Sequence, residues 1–153
     1  MNYGLPTWLC NPTIWSAFLA WLFAQTIKMT FFFARTRRIN FAYLVSTGGM
    51  PSAHSAMASA LATSVALRVG MADPLFAIAL AFTLVVMFDA QSVRRAAGMQ
   101  ARVLNQIVDE LFKTRRVAEG RLVELLGHTR LEVFFGMLIG VFVAIFIHSL
   151  TMR

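Results

Sequence analysis

The chain has 153 residues, enough for one domain, and 58% of them are hydrophobic while only 14% are charged. A soluble domain carries roughly a quarter charged residues, so that class is excluded, and a mean hydropathy of +0.67 points to lipid as the solvent. Lys and Arg total 14 against 7 Asp and Glu, a formal +7 that nucleic acid, anionic lipid or membrane topology could each explain, and a single cysteine, Cys10, excludes an intrachain disulfide.

The N-terminus lacks the basic start of a cleavable signal peptide, and its first apolar block runs past signal length, so the block is expected to be a retained helix. That first span is predicted at 13–34, TIWSAFLAWLFAQTIKMTFFFA, and RTRR at 35–38 closes it. Trp8 and Trp15 suit its entry side, whereas Trp21 lies too deep for an interfacial anchor. A polar, glycine-bearing stretch, STGGMPSAHS, leads into a second span predicted at 51–69, rich in the Ala and Ser that permit close helix packing in membranes. After a turn at Gly70–Pro74, a third span is predicted at 75–91.

Residues 92–127 are polar and helical in period, with Val103, Ile107, Leu111 and Phe112 on one side, and read as an amphipathic helical segment. The last span is predicted at 131–150, with Gly136 and Gly140 four apart as a packing face. The expected fold is an all-α integral membrane protein forming a single domain over 1–153. It has four transmembrane helices, plus the amphipathic segment between spans three and four. Strand alternation of the barrel kind is absent.

Four crossings put the loops at 35–49 and 92–130 on one side. They hold Arg35, Arg37 and Arg38, and Arg94, Arg95, Arg102, Lys113, Arg115, Arg116, Arg121 and Arg130. Such asymmetry is a positive-inside signal. The basic loops are therefore expected on the cytoplasmic face, or the matrix or stromal face of an organelle, with both termini opposite. Nucleic acid is an unnecessary partner.

The same topology brings Lys28, His54 and His128 to one membrane level, and ionisable residues there are costly and usually functional. Before His54, glycines and Pro51 precede a helix start, with Pro51 suited to its first turn. Exposed amides at such a start can hold an anion, and His54 could protonate a leaving oxygen. The plain alternative is a polar cap with a buried histidine. His128 and Glu132 are four apart and share a helical face. A carboxylate on one ring nitrogen orients the other for nucleophilic attack, although an ordinary helix-start pair would look the same. Lys28 with Arg35, Arg37 or Arg38 could clamp phosphate oxygens. A zinc site from His54, His128 and Glu132 fits by ligand type, but the surrounding cations oppose it, and no cofactor or metal is expected.

The order of these parts (a Lys-x-Arg region, then PSAH, then His-x3-acid) resembles the type 2 phosphatidic acid phosphatase superfamily, which includes the vanadium haloperoxidases. STGGMPSAHSA, FDAQSVRRAAGMQARVLN and LLGHTRLEVFFG are similar to its small, bacterial and plastid divergent branch, over about residues 25–140. The resemblance implies a metal-independent phosphomonoesterase working through a phosphohistidine. It would make His128 the nucleophile, Glu132 its orienting partner and His54 the proton donor. Lys28, Arg37, Ser52 and the backbone at Gly49 would bind phosphate.

Three positions depart from the pattern: Ala53 replaces a glycine, Glu132 replaces the commoner Asp, and Leu122 stands where the superfamily has an arginine. Arg94 or Arg95 is expected to supply that guanidinium. The stripe Arg94, Gly98, Ala101 and Asn105 would then form a wall of the site, or simply support the bundle. His148, at the far side, is expected to be structural. The implied substrates are anionic lipids: phosphatidylglycerophosphate, phosphatidate or polyprenyl phosphate. The rival expectation is a non-catalytic structural or assembly subunit, and the chain is expected in a homo-oligomer or a larger membrane complex.

Overall fold

In a computed structural model of the chain, residues 11–37, 49–111 and 128–151 are described, apart from the side chains of Arg35, 93–95 and 109–111. The described residues form five helices: α1 (Pro12–Thr36), α2 (Ala53–Val69), α3 (Pro74–Gln91), α4 (Val93–Leu111) and α5 (Arg130–Thr151). Their bounds follow local capping chemistry. Asn11 accepts from Thr13 N–H ahead of Pro12, and Asp73 accepts from Leu75 N–H ahead of Pro74, so each proline occupies the first turn, where a missing N–H costs nothing. At α2 the expectation for Pro51 fails. Pro51 lies outside the helix, after a cis Met50–Pro51 bond, and Ser52 is the cap. A proline cannot accept from the first helical amides, whereas the Ser52 hydroxyl can.

Helix α2 is the centre of the bundle, packed against α1, α3 and α5, while α1 also packs on α5. That position explains its composition. Helices in lipid associate through close van der Waals packing rather than a hydrophobic driving force, so small residues belong at their contacts. The core is accordingly alanine: Ala20 and Ala24 of α1, Ala53, Ala56 and Ala60 of α2, and Ala144 of α5. Gly136 and Gly140 set the closest approach. A Cβ at Gly136 would overlap the Ser52 carbonyl oxygen, and one at Gly140 would overlap the Ala56 carbonyl oxygen. The expected glycine face is real, and α2 is what it faces.

Large apolar side chains lie on the outside. Phe88 is 70% exposed, Phe142 69% and Phe146 61%, an arrangement water would not tolerate and hydrocarbon does. Among the described residues, three helices are long and apolar enough to cross a membrane: Pro12–Ala34, Pro74–Val108 and Arg130–Thr151. Four crossings were expected. The helix outside this set is α2, whose 17 residues rise about 25 Å. Its neighbours cover most of it, as the buried alanines and serines show, and only one stripe, with His54 and Met57, faces outward.

Helices α3 and α4 run nearly end to end through Ser92, and together they exceed the roughly 30 Å hydrocarbon core. The apolar part is α3. Helix α4 is amphipathic as expected, with Val103, Leu104, Ile107 and Val108 exposed along one side. The rest of the predicted amphipathic segment, 112–127, lies outside the described residues, as do Trp8 and Arg38.

Candidate active site

The residues that carry the chemistry collect where α1 ends, α2 begins, α3 ends and α5 begins. Two backbone hydrogen bonds between elements define this end. Ser52 N–H donates to the Glu132 carbonyl at 3.0 Å, and His128 N–H donates to the Ala90 carbonyl at 3.1 Å. The start of α5 is thereby fixed to both α2 and α3.

His128 is buried, and its Nδ1 lies 2.8 Å from Glu132 Oε2. The same carboxylate oxygen accepts from Thr129 N–H at 3.3 Å, while Glu132 N–H donates to Thr129 Oγ1 at 3.3 Å. This reciprocal pair is a capping box, spelled Thr-x-x-Glu in the sequence and overlapping the His-x3-Glu spacing. Glu132 therefore has two tasks, capping α5 and holding the imidazole. A carboxylate on Nδ1 keeps the proton there and leaves the lone pair on Nε2. Nε2 has no partner among the described residues.

Lys28 is buried in α1, 5% exposed, and close enough to Glu132 for the two charges to attract. Gly49 lies over its stem. The glycine has φ +95°, and a Cβ there would stand 3.1 Å from Lys28 Cε. A side chain at 49 would thus be strained twice, by the backbone and by the lysine. Arg37 closes α1 in the left-handed conformation, φ 54°, donating its N–H to the Phe33 carbonyl at 2.8 Å, and its side chain is exposed. Ser52 is fully buried, and its hydroxyl accepts from Ser55 Oγ at 3.0 Å and from Ser55 N–H at 3.4 Å. In this geometry Ser52 is a helix cap engaged within the bundle.

His128 lines a cavity of about 440 Å³ with Phe88, Gln91, Ser92, Ala96, Met99 and Arg130. Arg130 is the residue that sequence reasoning missed, having counted it only as a topology charge. Its place two residues after the nucleophile candidate was the available signal. Arg94 begins the same wall in sequence, but its side chain lies outside the described residues. Gly98 is buried and Ala101 and Asn105 half-buried, consistent with one inward stripe on α4.

His54 is placed differently. It is exposed at the start of α2 and lines a separate apolar cleft with Phe18, Trp21, Met57, Leu61 and Phe82. Residues 54, 57 and 61 form one helical stripe, whereas Ser52, Ser55 and Ser59 form the buried one. The two histidines occupy one end of the bundle but different cavities. Among the described residues no three metal-ligating side chains come together.

Helices sheathed in phenylalanine, an alanine core and a His–Glu pair beside a cavity at one end define a helical membrane protein with a candidate site at that end. The sequence profile of the Divergent PAP2 family matches residues 9–143, and the chain belongs to that family. It is 41% identical over 144 residues to a Bacillus subtilis (strain 168) protein named as the uncharacterized membrane protein YuiD, spanning 87% of this chain and 91% of that one. No solved structure matches the chain.

Proposed function

We propose that the protein is a membrane lipid phosphate phosphatase that hydrolyses a phosphomonoester through a phosphohistidine. The observation that carries this reading is the His128 Nδ1–Glu132 Oε2 contact of 2.8 Å. It leaves Nε2 as a lone-pair nucleophile beside a cavity lined by Arg130. Lys28, attracted to Glu132, adds a second cation to the same end.

The chemistry balances with these groups. Nε2 of His128 attacks phosphorus, the P–O bond to the lipid breaks, and the leaving oxygen takes a proton. The proposed donor is His54, at the same end of the bundle but turned to the neighbouring cleft in this structure. Water then attacks the phosphohistidine and the P–N bond breaks, releasing inorganic phosphate and free imidazole, while the proton lost by water returns to His54. Lys28, Arg130, Arg37 and Arg94 would offset charge on the equatorial oxygens, the usual dominant contribution to such catalysis. The substrates proposed are phosphatidylglycerophosphate, phosphatidate or a polyprenyl phosphate. Each would present its phosphate at the basic end, on the cytoplasmic, matrix or stromal side.

The experiment is phosphate release from these lipids by the purified protein in mixed micelles, with and without chelator. Release that persists in chelator and vanishes in His128→Ala supports the reading. Full release by His128→Ala overturns it. One observation favours a second reading, a non-catalytic subunit of a membrane complex: His54 lines a different cavity from His128. Co-purification with a complex, and no turnover on any of the three lipids, would favour that alternative.

A further inference from the structure

Away from the His128 cavity, one flank of the bundle is grooved. Helices α1 and α3 pack on α2 from either side and scarcely touch each other, so the outward stripe of α2 forms a floor between two walls. Near His54 the groove widens into a cavity of about 620 Å³. A second cavity of about 620 Å³, lined by Val65, Arg68, Leu75 and Ile78, lies at the opposite end of α2. Leu61 and Phe82 line both, so the two cavities form one groove from Arg68 to His54. The fourteen residue steps of α2 between His54 and Arg68 rise about 21 Å.

The Arg68 end is built rather than incidental. Arg68 Nη1 donates to Asn11 Oδ1 at 2.8 Å, and the same oxygen accepts from Thr13 N–H at 3.0 Å as the cap of α1. The anchor is a neutral amide, so the guanidinium is positioned without being neutralised. Among the described residues Arg68 forms no ion pair. Asp73, the acidic residue nearest in sequence, uses Oδ1 to cap α3 through Leu75 N–H at 2.8 Å. An oriented cation at helix-end level, opening onto an apolar groove, has the chemistry of a headgroup site. Half of the hydrocarbon core is about 15 Å deep. An acyl chain entering at Arg68 therefore passes the Leu61–Phe82 junction and ends short of His54, well separated from the His128 cavity.

We propose that this groove binds an anionic phospholipid of the leaflet at the Arg68 end, its phosphate on the guanidinium and one acyl chain lying between α1 and α3. The site is independent of the phosphatase reading. Charge complementarity selects the occupant: a guanidinium pairs with a phosphate, and net negative charge distinguishes phosphatidylglycerol from phosphatidylcholine. The headgroup and chain are both needed, since Arg68 holds the first and Val65, Leu75 and Ile78 the second.

The test uses the full chain in phosphatidylcholine nanodiscs doped with phosphatidylglycerol, released for native mass spectrometry. The wild type is expected to retain one phosphatidylglycerol per chain, about tenfold preferred over phosphatidylcholine. Arg68→Gln should abolish the preference, and Arg68→Lys should keep part of it. Val65→Trp, which fills the groove and leaves the guanidinium in place, should cut retention of both lipids, and it serves as the deciding variant if Arg68→Gln does not fold. An unchanged preference in Arg68→Gln overturns the proposal. So does displacement of the lipid by inorganic phosphate alone, which would mark a bare anion site, or a lipid-free dimer that buries this flank. Phosphate release at His128 should be the same in wild type and Arg68→Gln, so failure of one site leaves the other standing.

Discussion

Gly140→Ala is the substitution whose sign the packing decides. In an exposed helix, glycine to alanine gains about 1 kcal/mol from backbone propensity. Here a Cβ would overlap the Ala56 carbonyl oxygen and Ser59 Oγ, and would stand 2.8 Å from Ala60 N. Two of those three atoms are helix backbone and cannot rotate aside. Restoring an ordinary carbon–oxygen approach of about 3.3 Å requires α5 and α2 to separate by roughly an ångström along this contact. Overpacking of that kind costs about 1–3 kcal/mol, occasionally more, so after the propensity gain the net expectation is a loss of up to about 2 kcal/mol and no gain. Equilibrium unfolding of the purified protein in mixed micelles, followed by far-ultraviolet circular dichroism, measures it. A stabilised Gly140→Ala protein would refute the α2–α5 contact.

Glu132→Gln should separate the two tasks of that residue. Glutamine can serve in a capping box, so unfolding should move by less than about 1 kcal/mol, while phosphate release should fall by roughly 10²–10⁴ as the imidazole loses its orienting charge. Equal losses in folding and turnover would contradict this division. At the opposite end, Ser64→Ala removes the hydroxyl that lies 2.8 Å from His148 Nε2 and donates to Thr13 at 2.9 Å. Leaving a buried histidine unsatisfied should cost about 1–3 kcal/mol with phosphate release unchanged, and a loss of turnover at unchanged stability would show that the far cluster acts on the site.

Where the sequence carried a physical signal, the structure followed it closely. Hydropathy alone set the expected starts of α1, α3 and α5 one residue late; the cap-and-proline pairs Asn11–Pro12 and Asp73–Pro74 and the Thr129–Glu132 capping box were the signals that would have fixed them. The small-residue face at Gly136 and Gly140 was legible from its spacing, though only the fold names α2 as its partner. His128 and Glu132 share a face because four residues are one helical turn. The orientation of His54 was less accessible. Its neighbours Pro51 and Ser52 suggested an anion site, but which way α2 turns depends on α1 and α5, whose alanines and glycines draw the serine stripe inward. His54 then faces the groove with Met57 and Leu61. Arg130 was hidden for a related reason, since a basic residue after a membrane span reads as topology until a cavity is seen beside it. The partner of His148 was unreadable because Ser64 lies 84 residues away in sequence.

Trapping the phosphoenzyme tests the account most directly. Lipid labelled in its phosphate, mixed with the protein and quenched in base within a turnover, should leave label on the peptide that contains His128. That label should be stable in base, labile in acid and absent from His128→Ala. Turnover without any label on that peptide, or label carried by another residue, would contradict the assignment of His128 as the nucleophile.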